Sequence, residues 1–330
     1  MRLTGPTLAA VVLFTLGSAP VLATGSRSDS ARAEHQRIVD YWTAERMASA
    51  KPRDFVRTAR GFEPAAKPPR PGGSGTTVTG ASWTKGGAVA QAVGKVYFSI
   101  DGGYWQCSGS VATDHRSGFS LVLTAGHCAY DEVNGQFATK WMFMPAWDEQ
   151  PATFATACSD SRYGCWTASA LVVHEGYATA GAFNDQATRH DWAFAVVGAG
   201  GKDSSQLDGK VNEFGLATFS SINKGTLMYA FGFPAAGKYH GNDLTYCAGN
   251  IIEDIYNDNT TWGLGCNMTG GSSGGPWFAG FSESTGSGTL GSLNSYGYSG
   301  IKNMYGPKFN ANTQDVYDAA DRVTANTVVN

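Results

Sequence analysis

Residues 121–128 read LVLTAGHC: an apolar run, then small residues, then His127 beside Cys128. A short apolar run bounded by small residues reads as a buried strand. The turn ending it presents an imidazole from a rigid edge. Residues 189–197, RHDWAFAVV, place an acid just before another apolar run. Asp185 and His190 are near rivals there; Asp191 is preferred because WAFAVV follows it directly. The third stretch is CNMTGGSSGGPW, 266–277, two serines in a glycine run boxed in by a cysteine, a proline and a tryptophan that linkers rarely carry.

These three stretches make one chemical package. A serine hydroxyl is a poor nucleophile at neutral pH and needs a base, and the base needs a group to orient it. Histidine suits the base because it titrates near neutrality. A buried carboxylate fixes its tautomer and stabilises the imidazolium. An oxyanion needs preorganised N–H donors, and glycine lets the backbone approach closely. All four parts occur, in the order His…Asp…Ser. A G-x-S-x-G esterase on an α/β fold would need the order Ser…Asp…His and a helix after the serine, which argues against that class.

TAGHC, HDWAF and GGSSGGP together resemble the three active-site segments of the chymotrypsin/trypsin-like serine peptidases. CSGSV, 107–111, resembles the strand whose cysteine bridges to the one after the catalytic histidine. The resemblance spans about residues 90–325, and the GGSSGGPW form is most similar to secreted bacterial members, including the glutamyl-endopeptidase-like branch. It implies an all-β fold of two six-stranded antiparallel β-barrels, about 86–200 and 201–312, with a C-terminal helix. It implies Ser273 as nucleophile, His127 as general base and acid, Asp191 as orienting carboxylate, and the N–H groups of Gly271 and Ser273 as oxyanion hole. Asn267 falls at the base of the substrate pocket, and Ser295, Tyr296 and Gly297 on its wall. The expected function is a serine endopeptidase acting through an acyl-enzyme; the alternative is a catalytically silent homologue that binds polypeptides.

Two positions depart from the family pattern. Trypsin-like members carry an aspartate before the nucleophile, to receive the new N-terminal amine on activation; here Ser272 stands there. No carboxylate stands at Asn267, so Arg/Lys selectivity is not implied. A glutamate preference and a preference for an uncharged side chain both remain open.

The rest of the chain fits an exported precursor. The 330 residues are 42% hydrophobic and hold 43 glycines but only 15% charged residues, which favours a β-rich body with tight turns. Arg2, an apolar core at 8–17 and VLA at 21–23 read as a signal peptide, 1–23, giving a secreted, extracellular protein with no membrane anchor after cleavage. Residues 24–80 read as propeptide and linker: one helix over 30–52 stopped by Pro52, then proline, glycine and serine over 63–80. The peptidase domain is 81–330, with a terminal helix over 312–325.

Residues 24–77 hold ten Lys/Arg against six Asp/Glu, and residues 78–330 thirteen against twenty-one. An acidic body is a poor partner for nucleic acid; the basic front segment reads either as its electrostatic complement or as a solvated tail. Polypeptide substrates and the chain's own propeptide are the expected partners, and a monomer the expected state. Six cysteines in an exported chain point to three disulfides. Sequence neighbours suggest Cys107–Cys128, Cys158–Cys165 and Cys247–Cys266. None has C-x-x-C spacing, so neither a metal nor another cofactor is expected. His35, His115, His174 and His240 read as structural.

Overall fold

The structure is a computed structural model that describes Met1 and residues 27–64, 76–149 and 157–330. The expected signal peptide, apart from Met1, and the linker core at 65–75 lie outside the described residues. Among the described residues no helix is long and apolar enough to cross a membrane.

The front segment is ordered against the body. It forms two helices, α1 (Arg27–Tyr41) and α2 (Ala44–Ser49), where the sequence predicts one. The break falls at Trp42, whose indole is buried beside Tyr97 and donates to the Lys140 carbonyl at 2.6 Å. Thr43 restarts the helix by capping the Arg46 N–H. Tertiary burial of one large ring thus overrides helix continuation. A hairpin follows, β1 (Phe55–Thr58) and β2 (Gly61–Pro64). Strand β3 (Thr76–Ser82) crosses the expected boundary at residue 80 and pairs inside the body.

Six strands then close a barrel: β4 (Val93–Ile100), β5 (Gly103–Ala112), β6 (Ser120–Thr124), β7 (Thr139–Pro145), β8 (Trp166–His174) and β9 (Ala193–Val197). The order is β5-β4-β7-β8-β9-β6 and back to β5, antiparallel at every step. Val96, Phe98, Val122, Phe143, Val172 and Phe194 are among its fully buried residues. Closure leaves no exposed edge on this half.

The second half is built from β10 (Leu227–Gly232), β11 (Thr245–Asn250), β12 (Thr261–Gly265), β13 (Pro276–Ser282), β14 (Ser287–Leu293), β15 (Tyr296–Tyr298) and β16 (Asn303–Pro307). Its strands fall in two hydrogen-bonded sheets. One sheet has the order β14-β13-β10-β11-β3. The other runs from Ile252–Glu253 through β12, β16 and β15 to β1 and β2 of the front segment. The Cys247–Cys266 bridge ties β11 to the end of β12 and so joins the two sheets. All six cysteines pair as their sequence neighbours suggest, with Cα separations of 6.3, 5.4 and 5.5 Å.

The last helix, α3 (Ala311–Ala320), opens with a capping box between Asn310 and Thr313 and buries Val316, Tyr317 and Ala320. It ends five residues before the expected limit. The chain there turns to lay Thr327–Val329 parallel to β8, and the Asn326 side chain accepts the Leu171 N–H at 2.8 Å.

Candidate active site

Strand register brings the acid to the histidine. Ala193 pairs with Thr124 in the antiparallel β9–β6 ladder, and continuing that register sets Asp191 against Gly126. A side chain at Gly126 would place its Cβ 3.1 Å from Asp191 Oδ1 and from the Tyr177 ring and crowd both, so glycine eases the approach. His127 and Asp191 are both fully buried. The Asp191 Oδ1 accepts the His127 backbone N–H at 2.8 Å, and Oδ2 lies 2.8 Å from the ring Nδ1. Ser295 Oγ donates to the same Oδ2 at 2.5 Å. Nδ1 is thereby held as the donor to a carboxylate, which leaves Nε2 as the basic nitrogen. Nε2 is buried without a hydrogen-bond partner among the described residues.

The serine turn is pinned to the same frame. Ser108 donates its N–H to the Ser273 carbonyl at 2.7 Å and its hydroxyl to the Gly271 carbonyl at 2.8 Å. Ser108 follows Cys107, which is bridged to Cys128, the neighbour of His127. One covalent bridge and the two hydrogen bonds of Ser108 therefore connect the serine turn to the histidine turn. On the other side Asn294 donates to the carbonyls of Phe231 and Ser272 at 2.7 and 3.0 Å and accepts the Trp277 indole N–H at 2.7 Å. Gly274 has φ +80°, and a Cβ there would sit 2.3 Å from Thr124 Oγ1. The N–H groups of Gly271 and Ser273 have no acceptor among the described residues. Free, preorganised donors of this kind suit a developing oxyanion. Ser272 faces away: its hydroxyl donates to the Thr269 carbonyl at 2.8 Å, and its Cβ lies against Gly232.

Beside the turn lies a cavity of about 360 Å³, lined on the body side by Met268, Thr269, Gly270, Gly297, Asn303 and Met304. Of the predicted pocket residues, Gly297 and Tyr296 line it. Ser295 spends its hydroxyl on Asp191 instead. Asn267 is not among the lining residues; its side-chain oxygen accepts the Tyr239 hydroxyl, and it sits against Gly80. The strand carrying Tyr296 is fixed from behind by Asp254, a fully buried acid that accepts the hydroxyls of Tyr296, Tyr298 and Thr261 at 2.6, 2.8 and 3.1 Å. Burial and this carboxylate push the Tyr296 phenol well above its ordinary range. Asp254 and Asn294 carry no motif of their own, and Ser108 lies within CSGSV, where the resemblance points only to the cysteine.

The front segment enters this site. Arg53 donates to the carbonyls of His127 and Tyr130 and pairs with the buried Glu132 at 3.0 Å. The Phe55 ring stands edge-on to the His127 ring at 5.5 Å and stacks on Phe183 at 4.0 Å. Asp54 lies against Gly270. Burial pushes its carboxyl up to about 6, opposed by His127 and by the Phe55 N–H. The remaining histidines have structural partners or are exposed: His174 accepts the Gly176 N–H at 2.9 Å and stacks on His190, His35 meets Thr167 at 3.0 Å, His115 lies 3.4 Å from Asp321, and His240 is exposed.

No protein-family model and no curated protein matches this chain. Solved structures do. A thermostable serine protease, AL20, from an extremophilic microorganism is 35% identical, with a TM-score of 0.60 and coverage of 71% of this chain and 98% of that one. The protease Anisep from Arthrobacter nicotinovorans is 36% identical, with a TM-score of 0.58 and coverage of 70% and 95%. The chain belongs to the chymotrypsin-like serine peptidases. A Glu endopeptidase, 18% identical with a TM-score of 0.54 over 76% and 98% of the two chains, shares the fold.

Proposed function

We propose that this chain is a secreted serine endopeptidase, made as a precursor with a signal peptide and a propeptide, that cleaves polypeptides through Ser273, His127 and Asp191. The observation that carries the reading is the His127–Asp191 pair, whose unpartnered Nε2 stands in a frame shared with a turn that leaves two backbone N–H groups free.

Ser273 Oγ attacks the scissile carbonyl while His127 Nε2 takes its proton. The carbonyl oxygen, now an anion, accepts the N–H groups of Gly271 and Ser273. Collapse breaks the C–N bond, and His127 returns the proton to the leaving amine. Water then enters, gives a proton to His127 and hydrolyses the acyl-enzyme, which restores the Ser273 hydroxyl. Asp191 stays ionised throughout and steadies the imidazolium; the Ser295 hydroxyl and the His127 N–H steady Asp191. Three disulfides suit an extracellular setting.

A serine-directed phosphonate, followed by peptide mapping of the adduct, tests this. The adduct is expected on Ser273. An adduct on Ser272, or none on correctly processed protein, sinks the mechanism.

A further inference from the structure

The route of residues 51–58 through the cleft has a defined direction. Lys51 and Pro52 pair with Trp105 and Gln106 of β5, beside the Cys107–Cys128 bridge. Arg53 and Asp54 then pass His127 and Gly270. Phe55, Val56 and Arg57 pair with Tyr296, Gly297 and Tyr298 of β15, and the pairing is parallel.

A substrate must run the other way. Its leaving amine takes a proton from His127, so its C-terminal half departs over β5 and the bridge. Its acyl half ends at Ser273 and lies along β15. Strand β15 starts directly after Ser295, which is bonded to Asp191, and runs away from the catalytic centre. A chain whose C-terminal end sits at that centre therefore pairs with β15 antiparallel. The front segment enters the same groove with the opposite polarity.

We propose that residues 51–58 are a built-in inhibitor bound backwards in the substrate groove, blocking the site without being cut. The inference rests on the peptidase reading above. With polarity reversed, no peptide carbonyl can face the free N–H pair while its amide nitrogen points to His127. The segment also leaves the substrate cavity unfilled: Pro52, Asp54 and Val56 border the open space instead of filling it. A substrate is held by a side chain in that space; this segment is held at its flanks. Arg53 is clamped on Glu132 and on the His127 and Tyr130 carbonyls, Phe55 on Phe183, and Arg57 on Asp185 at 2.8 Å and the Tyr256 carbonyl at 3.1 Å. Phe62 of the returning strand packs on Phe183 and Tyr296. Release therefore requires loss of the clamps, and cleavage of the segment inside the groove is not a route to it.

The test uses the chain from residue 27 to 330, with Arg57→Ala and Phe55→Ala as separate variants, each checked for a cooperative thermal transition. The phosphonate is expected to label Ser273 at least ten-fold more slowly in the unaltered chain than in either variant. Mass spectrometry after long incubation is expected to find every bond from Arg53 to Arg57 intact. Equal labelling rates in all three proteins overturn the inhibition. A cut between Arg53 and Arg57 that vanishes in Ser273→Ala overturns the reversed polarity. Failure of all forms to label, the folded Arg57→Ala protein included, strikes the peptidase reading instead.

Discussion

Ser295 and His127 share one oxygen of Asp191: the hydroxyl reaches Oδ2 at 2.5 Å and the ring nitrogen at 2.8 Å. The carboxylate is fully buried, and a buried charge stays ionised only when such donors satisfy it. Ser295→Ala is expected to lower kcat/KM by roughly 10- to 100-fold, the scale of a lost hydrogen bond to a charged group, ~1.5–3 kcal/mol. Most of the loss falls on kcat. Asp191→Asn is expected to cost on the order of 10⁴ in kcat, because it can favour the wrong tautomer. Steady-state kinetics on the two variants checks the order; an inert Ser295→Ala would mean that its hydroxyl orients nothing.

On the proposed peptidase reading, the cavity beside the serine turn receives the substrate side chain and selects what is cut. The body side of its lining contains no Lys or Arg; the one cation at its border, Lys51, belongs to the front segment. A glutamate entering it would lose water without gaining a cation, a cost of several kcal/mol or roughly 100-fold in selectivity. Cleavage is expected after uncharged, mainly apolar side chains. A peptide library read by mass spectrometry tests this, and dominant cleavage after Glu would contradict it.

Glycine at 274 is a requirement of the fold as well as of the site. Its φ of +80° and the 2.3 Å approach of any Cβ to Thr124 Oγ1 leave no room for a side chain. Gly274→Ala is expected to cost at least about 3 kcal/mol or to prevent folding. Gly181 has a similar φ, +70°, but open space around it, so Gly181→Ala is expected to cost only about 1 kcal/mol. Urea unfolding of the pair separates crowding from backbone strain.

Asp54 makes the front segment sensitive to pH. Its carboxyl is raised from 3.8 to about 6 by burial in the groove. The seated segment thus binds a proton more readily than the free one. The Asp54 contribution to its hold is fully present below the ordinary carboxyl value and is lost as pH rises through about 6, while the Arg53, Phe55 and Arg57 clamps persist. His127 faces the same group and opposes the shift. Phosphonate labelling of the chain from residue 27, corrected by the rate of the Phe55→Ala form at each pH, is expected to show tighter occlusion at pH 5 than at pH 7.5. Asp54→Asn should flatten that dependence; an unchanged profile would discount Asp54 as its source.

The sequence carried the barrel and its chemistry where the signal was local. LVLTAGHC and RHDWAFAVV each join a strand to a reacting group, and their antiparallel ladder does the rest. The three bridges join neighbouring cysteines, so nearest-neighbour reading finds them. Long-range features left no such trace. The helix break at Trp42 depends on a pocket formed by Tyr97 and Lys140. The parallel pairing of Phe55 with Tyr296 joins residues far apart in the chain and has no local pattern. Asn267 was placed by counting back from Ser273, but its side chain is drawn aside by Tyr239 and Gly80, which only the folded chain brings near.

One sheet of the C-terminal half takes its last two strands from residues 55–64. Removing them would leave β15 as an open edge with unpaired backbone groups, a liability that proteins normally cover. Here the exposure would be the working state. Each substrate would become, for the length of one turnover, a strand of the enzyme. A second copy of the chain offering its own flank would compete for that edge, so a trimmed enzyme at high concentration would be under constant pressure to pair with itself.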